Sequence, residues 1–362
     1  MDLPLPTTLA PMLAKAVDAL PEGSPGEWWF EPKWDGFRCT VFRDGDDVVL
    51  GSRNERPMTR YFPELLGPLR DALPPHAVVD GEIVVATEQG LDFDLLGQRI
   101  HPAESRIRRL AEETPASFVA FDLLYDCRRN LLDQPFAERR TALEAVLAGA
   151  GSSIHLTPAT TDRTVAERWF TSFEGAGLDG VVAKRASSTY EPDKRGWLKI
   201  KHQRTADVVV AGYRVHKDGE GVGSLLLGLY DGDGQLHHVG VAASFTAAKR
   251  RDLLVELEPL ALEPSDLAAH PWGEWAEAQA HAAVGGARLP GAVSRWNAKK
   301  DLSWVPIPAD RVAEVAFERV DHGRFRHTAR FQRWRPDRVP ASCTFEQVEV
   351  VPPIELREVF GA

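Results

Sequence analysis

The chain has 362 residues, 43% of them hydrophobic and 27% charged, which allows two or three domains with their own cores and excludes a disordered chain, a collagen and a disulfide scaffold. No apolar run approaches the roughly 18 residues that span a bilayer, and the N-terminus MDLPLPTTLAP carries no secretory or lipidation pattern; a cytoplasmic protein without a membrane partner is expected. The net charge of −10 argues, as a total, against a dedicated nucleic-acid binder, although binding depends on where the charges sit.

Pro and Gly punctuate the first thirty residues, which end in the apolar WWF at 28–30. Strands are predicted at 37–43 and 47–52, joined by a turn whose Asp-Gly signals a hairpin. Further strands follow at 77–86 and 116–126, with a helix expected between them over 92–111. Helical periodicity covers 136–148 and 161–175, the second capped by Thr161 or Asp162. Turn-then-strand patterns stand at 177–185 and 196–204. From 206 to 243 three strands alternate with Gly- and Asp-rich turns, the pattern of a small β-barrel. A helix over 246–257, an aperiodic stretch to about 293 and strands at WVPIP and 311–320 complete the series. These elements predict an α+β chain with domains at 1–203 and 204–340 and a tail at 341–362. Cys39, Cys127 and Cys343 lie far apart without a CxxC pair, which fits a reducing compartment and argues against structural zinc.

Polar clusters recur at strand ends: EPKWDGFR at 31–38, Ser52-Arg53-Asn54, Asp80-Gly81-Glu82, Asp179-Gly180 with Lys184, and Lys199 with Lys201. Period-two alternation puts Lys199 and Lys201 on one strand face, unusual inside a domain unless an anion sits there. Basic charge is also clustered. Residues 319–338 hold seven arginines against two aspartates, a local +5, and 194–204 hold five Lys and Arg without an acid, again +5. Arg99, Arg106, Arg108 and Arg109 against Glu104 add +3. Such patches suit a phosphate backbone whatever the rest of the surface carries, and no base-reading element is evident.

In order and spacing these segments resemble the motifs of the ATP-dependent DNA ligases, most closely the small stand-alone bacterial (ligase C-like) type, over nearly the whole chain. The resemblance implies an N-terminal adenylation (nucleotidyltransferase) domain of antiparallel sheets and helices, followed by an OB-fold β-barrel domain. It implies an enzyme that seals nicks between 3′-OH and 5′-phosphate through a lysyl-AMP intermediate, in DNA repair. Lys33 of K-x-D-G is then the nucleophile. An amine needs its pKa depressed to attack at neutral pH, which Lys199, Lys201 and a metal would achieve. The same likeness assigns nucleotide contacts to Glu31, Asp35, Arg38, Arg53, Glu82, Lys184, Lys199, Lys201 and Arg335, with Phe121 stacking on adenine. Glu82 and Asp179 become metal ligands, and Arg38, Arg53, Arg333 and Arg338 DNA contacts. ATP and Mg²⁺, with Mn²⁺ as an alternative, are the implied cofactors, and nicked duplex DNA is the partner. A monomer at the bacterial nucleoid is expected, with DNA end-binding or repair-polymerase proteins as further partners.

The chain departs from the family twice: Asp179 replaces a glutamate, and the usual R-x-D-K reads Arg335-Pro336-Asp337-Arg338. Taken one at a time, the residues admit plainer roles. Phe121 fits a core strand, Glu82 and Asp179 fit turn caps, Lys199 and Lys201 fit an edge guard, and the C-terminal arginines fit a solvated face. An RNA ligase or capping-type nucleotidyltransferase, and a non-catalytic nucleic-acid-binding OB protein, are the alternatives.

Overall fold

The computed structural model describes residues 1–53, 57–87, 90–127, 129–172, 178, 180–201, 204–273, 303–318, 320–321 and 323–348. The chain divides into two compact units, Met1–His202 and Gln203–Glu349.

The first unit is built on two sheets. The smaller contains β1 (Ala14–Val17), β2 (Trp28–Pro32), β8 (Gly180–Arg185) and β9 (Trp197–Lys201) in the order β1-β9-β8-β2. The larger runs β7-β6-β5-β3-β4, made of β3 (Phe37–Asp44), β4 (Asp47–Ser52), β5 (His76–Val84), β6 (Ser117–Asp126) and β7 (Ile154–Leu156). The predicted hairpin is β3–β4, with Asp44 opposite Asp47 and Gly45 at φ +62° supplying the left-handed turn residue. Strand β6 is buried along most of its length, as its loosened alternation predicts. Helices α1 (Pro63–Ala72) and α4 (Phe136–Leu147) bring Leu65, Leu69 and Leu143 into the core of the larger sheet.

The single helix expected over 92–111 is instead two, α2 (Phe93–Gln98) and α3 (Glu104–Glu113). Pro102 lies in the break; it cannot donate a helical hydrogen bond and disfavours helical backbone at the residue before it. Asp92 caps α2 by accepting from Leu95 N–H at 2.9 Å. Helix α5 spans Arg163–Ser172, and Asp162 accepts from Thr164 N–H at its start; the expected extension over 173–175 lies outside the described residues.

The second unit is a five-stranded antiparallel sheet ordered β12-β11-β10-β13-β14. Its strands are β10 (Arg204–Val215), β11 (Val222–Tyr230), β12 (Leu236–Ala242), β13 (Val305–Phe317) and β14 (Arg330–Trp334), with α6 (Ala247–Leu257) after β12. Among the described residues the two edges of the sheet meet at one parallel bridge, Ala242–Ala329, rather than along a continuous ladder. This is an OB fold of partly open form. The strands expected at WVPIP and 311–320 form one strand: β13 pairs with β10 on both sides of a register jump between Pro306 and Arg311. Pro308, without an N–H to give, sits inside that jump. Residues 341–348, expected as tail, belong to this unit, since Cys343 and Val348 are buried in its core.

Candidate active site

Strand β2 ends at Pro32 and β3 begins at Phe37, so Lys33–Gly36 link the two sheets of the first unit. The Lys33 N–H donates to the Gly180 carbonyl at 2.8 Å, which anchors the link to β8. A Cβ on Gly36 would lie 2.1 Å from the Ile83 carbonyl oxygen, so only glycine fits where the link crosses β5. The Gly36 N–H instead bonds to the Glu82 carboxylate.

Beside this link lies a cavity of about 340 Å³. Glu31, Lys33, Arg38 and Arg53 line it, as do Glu82, Phe121, Lys184 and Lys199. These eight predicted residues come from β2, the link, β3, β4's end, β5, β6, β8 and β9. Asp35 is buried but is not among the lining residues, and neither is Lys201. Asp179 lies outside the described residues.

At the base of the cavity, Lys184 donates to Glu31 at 2.8 Å and to the Phe121 carbonyl at 2.9 Å. Both side chains are almost wholly buried. Burial raises the Glu31 pKa against the pull of Lys184 and Arg140, and lowers that of Lys184. Among the described residues no donor makes a hydrogen bond to Glu31 Oε1, and Arg140 stands 3.7 Å from it. The indole N–H of Trp197, which also lines the cavity, has no hydrogen-bond partner among the described residues either. A buried acceptor and a buried donor left unmatched are costly unless a ligand meets them.

Arg38 pairs with Asp80 through two hydrogen bonds of 2.6 Å and lies 4.5 Å from the Phe121 ring centroid. This pairing holds its pKa above the ordinary arginine value against the opposing effect of burial. Glu82 stands opposite Arg38 in the β3–β5 register. Burial pushes its carboxyl up to about 7, although Arg38 and Lys33 favour the charged form.

The residues missed in the sequence differ in how visible they were. Asp80 is two positions from Glu82 and Trp197 two from Lys199, so alternation already placed each on the same strand face. Arg195 lines the cavity from the loop before β9. Arg140 and Tyr190 reach the site from α4 and a loop, and no local pattern marks them.

The arginines of the second unit are differently placed. Arg335 donates to Asp337 at 2.8 Å and to Asp207 at 3.0 Å, and Arg338 lies 3.0 Å from Asp207. Arg333 donates to Glu314 at 2.6 Å. Three arginines of the basic run therefore meet acids, from β10, from β13 and from the run itself. Asp337 is held down at about 2, chiefly by its hydrogen bond from Arg335.

Among the described residues no cluster of three or more His, Cys, Asp or Glu side chains could hold a metal on its own. Glu82 does fit a Mg²⁺ that takes one protein carboxylate together with phosphate oxygens.

Residues 11–201 match the family model for the ATP dependent DNA ligase domain, and residues 218–338 that for the ATP dependent DNA ligase C terminal region. The chain is 58% identical over 356 residues to DNA ligase C of Mycobacterium tuberculosis (strain ATCC 25618 / H37Rv), covering 96% of each. It is 35% identical over 265 residues to the multifunctional non-homologous end joining DNA repair protein LigD of the same strain, covering 71% of this chain and 32% of that one. Among solved structures, one titled as a structure-function analysis of Lig E DNA ligases aligns with a TM-score of 0.54 at 18% identity. That alignment covers 90% of this chain and 99% of the other, and the likeness is one of fold.

Proposed function

Because the chain belongs to the ATP-dependent DNA ligases, it is an enzyme that uses ATP to seal nicked DNA, and we propose that it does so through a lysyl-AMP formed on Lys33. The observation that carries this reading is the cavity itself. It sets Lys33 beside an aromatic wall at Phe121 and a base holding the unmatched Glu31 acceptor. That acceptor suits the amino group of adenine, and the Phe121 ring suits its face. Arg38, Arg53 and Lys199 supply positive charge for the phosphates.

In the first step the deprotonated Lys33 amine attacks the α-phosphorus of ATP. A P–N bond replaces the P–O bond to the β-phosphate, pyrophosphate leaves and a proton is released. In the second, an oxygen of the 5′-phosphate at a nick attacks the same phosphorus; the P–N bond breaks, and the lysine takes back its proton. In the third, the neighbouring 3′-OH attacks the 5′-phosphate, a phosphodiester forms, AMP leaves and a proton is released. Mg²⁺ bound by Glu82, with Asp179 as the second ligand, would offset phosphate charge throughout. Asp35 orients the link, Lys201 extends the positive face of β9, and Arg335 serves the triphosphate. Arg333 and Arg338, with Arg38 and Arg53, contact the DNA backbone.

The same reading makes the enzyme a monomer of the bacterial cytoplasm, working on the nucleoid in strand-break repair. The end-joining name of its LigD relative supports a task shared with DNA end-binding proteins or a repair polymerase.

Incubation with ATP labelled at the α-phosphate and Mg²⁺, followed by a denaturing gel, tests the intermediate. Wild type should acquire acid-labile label and Lys33→Ala none. A labelled Lys33→Ala protein would overturn the assignment. Sealing of nicked DNA but not of nicked RNA duplex should follow.

A further inference from the structure

Tyr190 sits outside every motif, yet it closes a ring of hydrogen bonds beside the cavity, behind Arg38. Its hydroxyl donates to Asp80 Oδ2 at 2.5 Å and accepts from the Met12 N–H at 2.9 Å. Asp80 in turn accepts from Arg38 Nε and Nη2, both at 2.6 Å. Arg38 Nη2 then donates to the Met12 carbonyl at 3.2 Å, which returns the ring to its start. Four residues from the N-terminal segment, β3, β5 and the loop before β9 are joined in one cycle.

Met12 has both backbone groups committed to this ring, and its neighbours Pro11 and Leu13 line the cavity. The phenol ring is itself fixed, buried and edge-on to Trp197 at 5.9 Å between centroids. Asp80 is wholly buried, so its orientation depends on the donors that reach it. Without the tyrosine hydroxyl, its Oδ2 would be left with Arg38 alone and could rotate with it. The Met12 N–H would be left unmatched.

We propose that Tyr190 is a positioning residue for ligation: through Asp80 and Met12 it fixes the Arg38 guanidinium in the pose that receives the nucleotide. The inference rests on the assignment of Arg38 to the nucleotide made above. It extends that assignment to a side chain that itself makes no ligand contact.

The test is a double-mutant cycle on the single-turnover rate of Lys33 labelling at saturating ATP, using Tyr190→Phe, Arg38→Ala and the two combined. The phenylalanine keeps the ring and its packing and removes only the hydroxyl. Tyr190→Phe should slow labelling about tenfold, the scale of one hydrogen bond to a charged group, and Arg38→Ala should slow it further. The double variant should be no slower than Arg38→Ala, because Tyr190 acts through that arginine. Wild-type labelling by Tyr190→Phe beside a slow Arg38→Ala would overturn the proposal while leaving Arg38 in place. So would a double variant that loses a further tenfold, the mark of a general packing role. Wild-type labelling by Arg38→Ala would instead overturn the assignment of Arg38, and the proposal with it.

Discussion

Two regions of this enzyme concentrate cationic side chains, and they treat them in opposite ways. In the first unit, Lys33, Arg38, Arg53, Lys184, Arg195 and Lys199 line one cavity with only two carboxylates, Glu31 and Glu82. In the second, Arg333, Arg335 and Arg338 each meet a carboxylate within hydrogen-bond distance, from Glu314, Asp207 or Asp337. An anion entering the cavity meets more cations than carboxylates along its lining, although Asp80 already holds Arg38 and Glu31 holds Lys184. An anion approaching the arginine turn must exchange partners with acids already there. The same residue type thus forms a standing receptor in one place and a conditional one in the other.

The largest effect that would sharpen this contrast is at the cavity base. Lys184→Met leaves Glu31 buried without its cation and should cost about 3–5 kcal/mol of stability, read by urea unfolding. Adding Glu31→Gln should return most of that stability while ATP labelling stays lost. If the single substitution is mild, the cavity pair is as replaceable as the surface pairs.

Arg335→Ala gives up one half-buried pair with Asp207 and one exposed pair with Asp337, so it should lower stability less than Lys184→Met and slow Lys33 labelling by about tenfold. A labelling rate equal to wild type would remove the turn from the nucleotide reaction.

The pH dependence comes next, because the Glu82 carboxyl is pushed up to about 7. Labelling should rise with pH to a plateau above about 7, and Glu82→Gln should lose that limb. Stability runs the other way. Between about 4.5 and 7 the unfolded chain releases the Glu82 proton and the folded chain keeps it. Stability therefore falls as pH rises through this window and levels off above it. Chemical denaturation of wild type and Glu82→Gln at pH 5 and pH 8 would show whether the fall is specific to this residue.

The smallest effect is the most direct probe of partner exchange. Asp207→Asn keeps the shape and removes the competing charge, so the apparent KM for ATP in labelling should drop about two- to threefold, the scale of one screened charge pair. A rise in KM would mean that Asp207 steadies the arginines instead of competing for them.

Much of the site was legible in the sequence because its residues lie on strands, where period-two alternation carries real geometric information. Glu82 and Phe121 line the cavity at the positions that motif order implied, and of the two lysines that alternation put on one face Lys199 lines it and Lys201 does not. Local reading failed where contacts cross the chain. Asp207 and Glu314 lie far in sequence from Arg335, so summing charges over 319–338 could not see that Arg333, Arg335 and Arg338 already meet acids. Tyr190 and Arg140 escaped for the same reason. Pro102 was visible, but the expectation of one helix over 92–111 passed over the break it imposes.

The parallel pairing of β1 with β9 sets Ala14 beside Trp197 and Ala16 beside Lys199. The wall of the cavity made first during synthesis is therefore joined to the wall made last. Until β9 has left the ribosome, β1 lacks the strand it pairs with, and until Tyr190 has, Met12 lacks its hydroxyl. Forming that contact closes nearly the whole unit in one long-range event, late and entropically expensive. A growing chain of this enzyme should thus be unable to bind nucleotide until its first unit is complete, which keeps half-made ligase from capturing ATP.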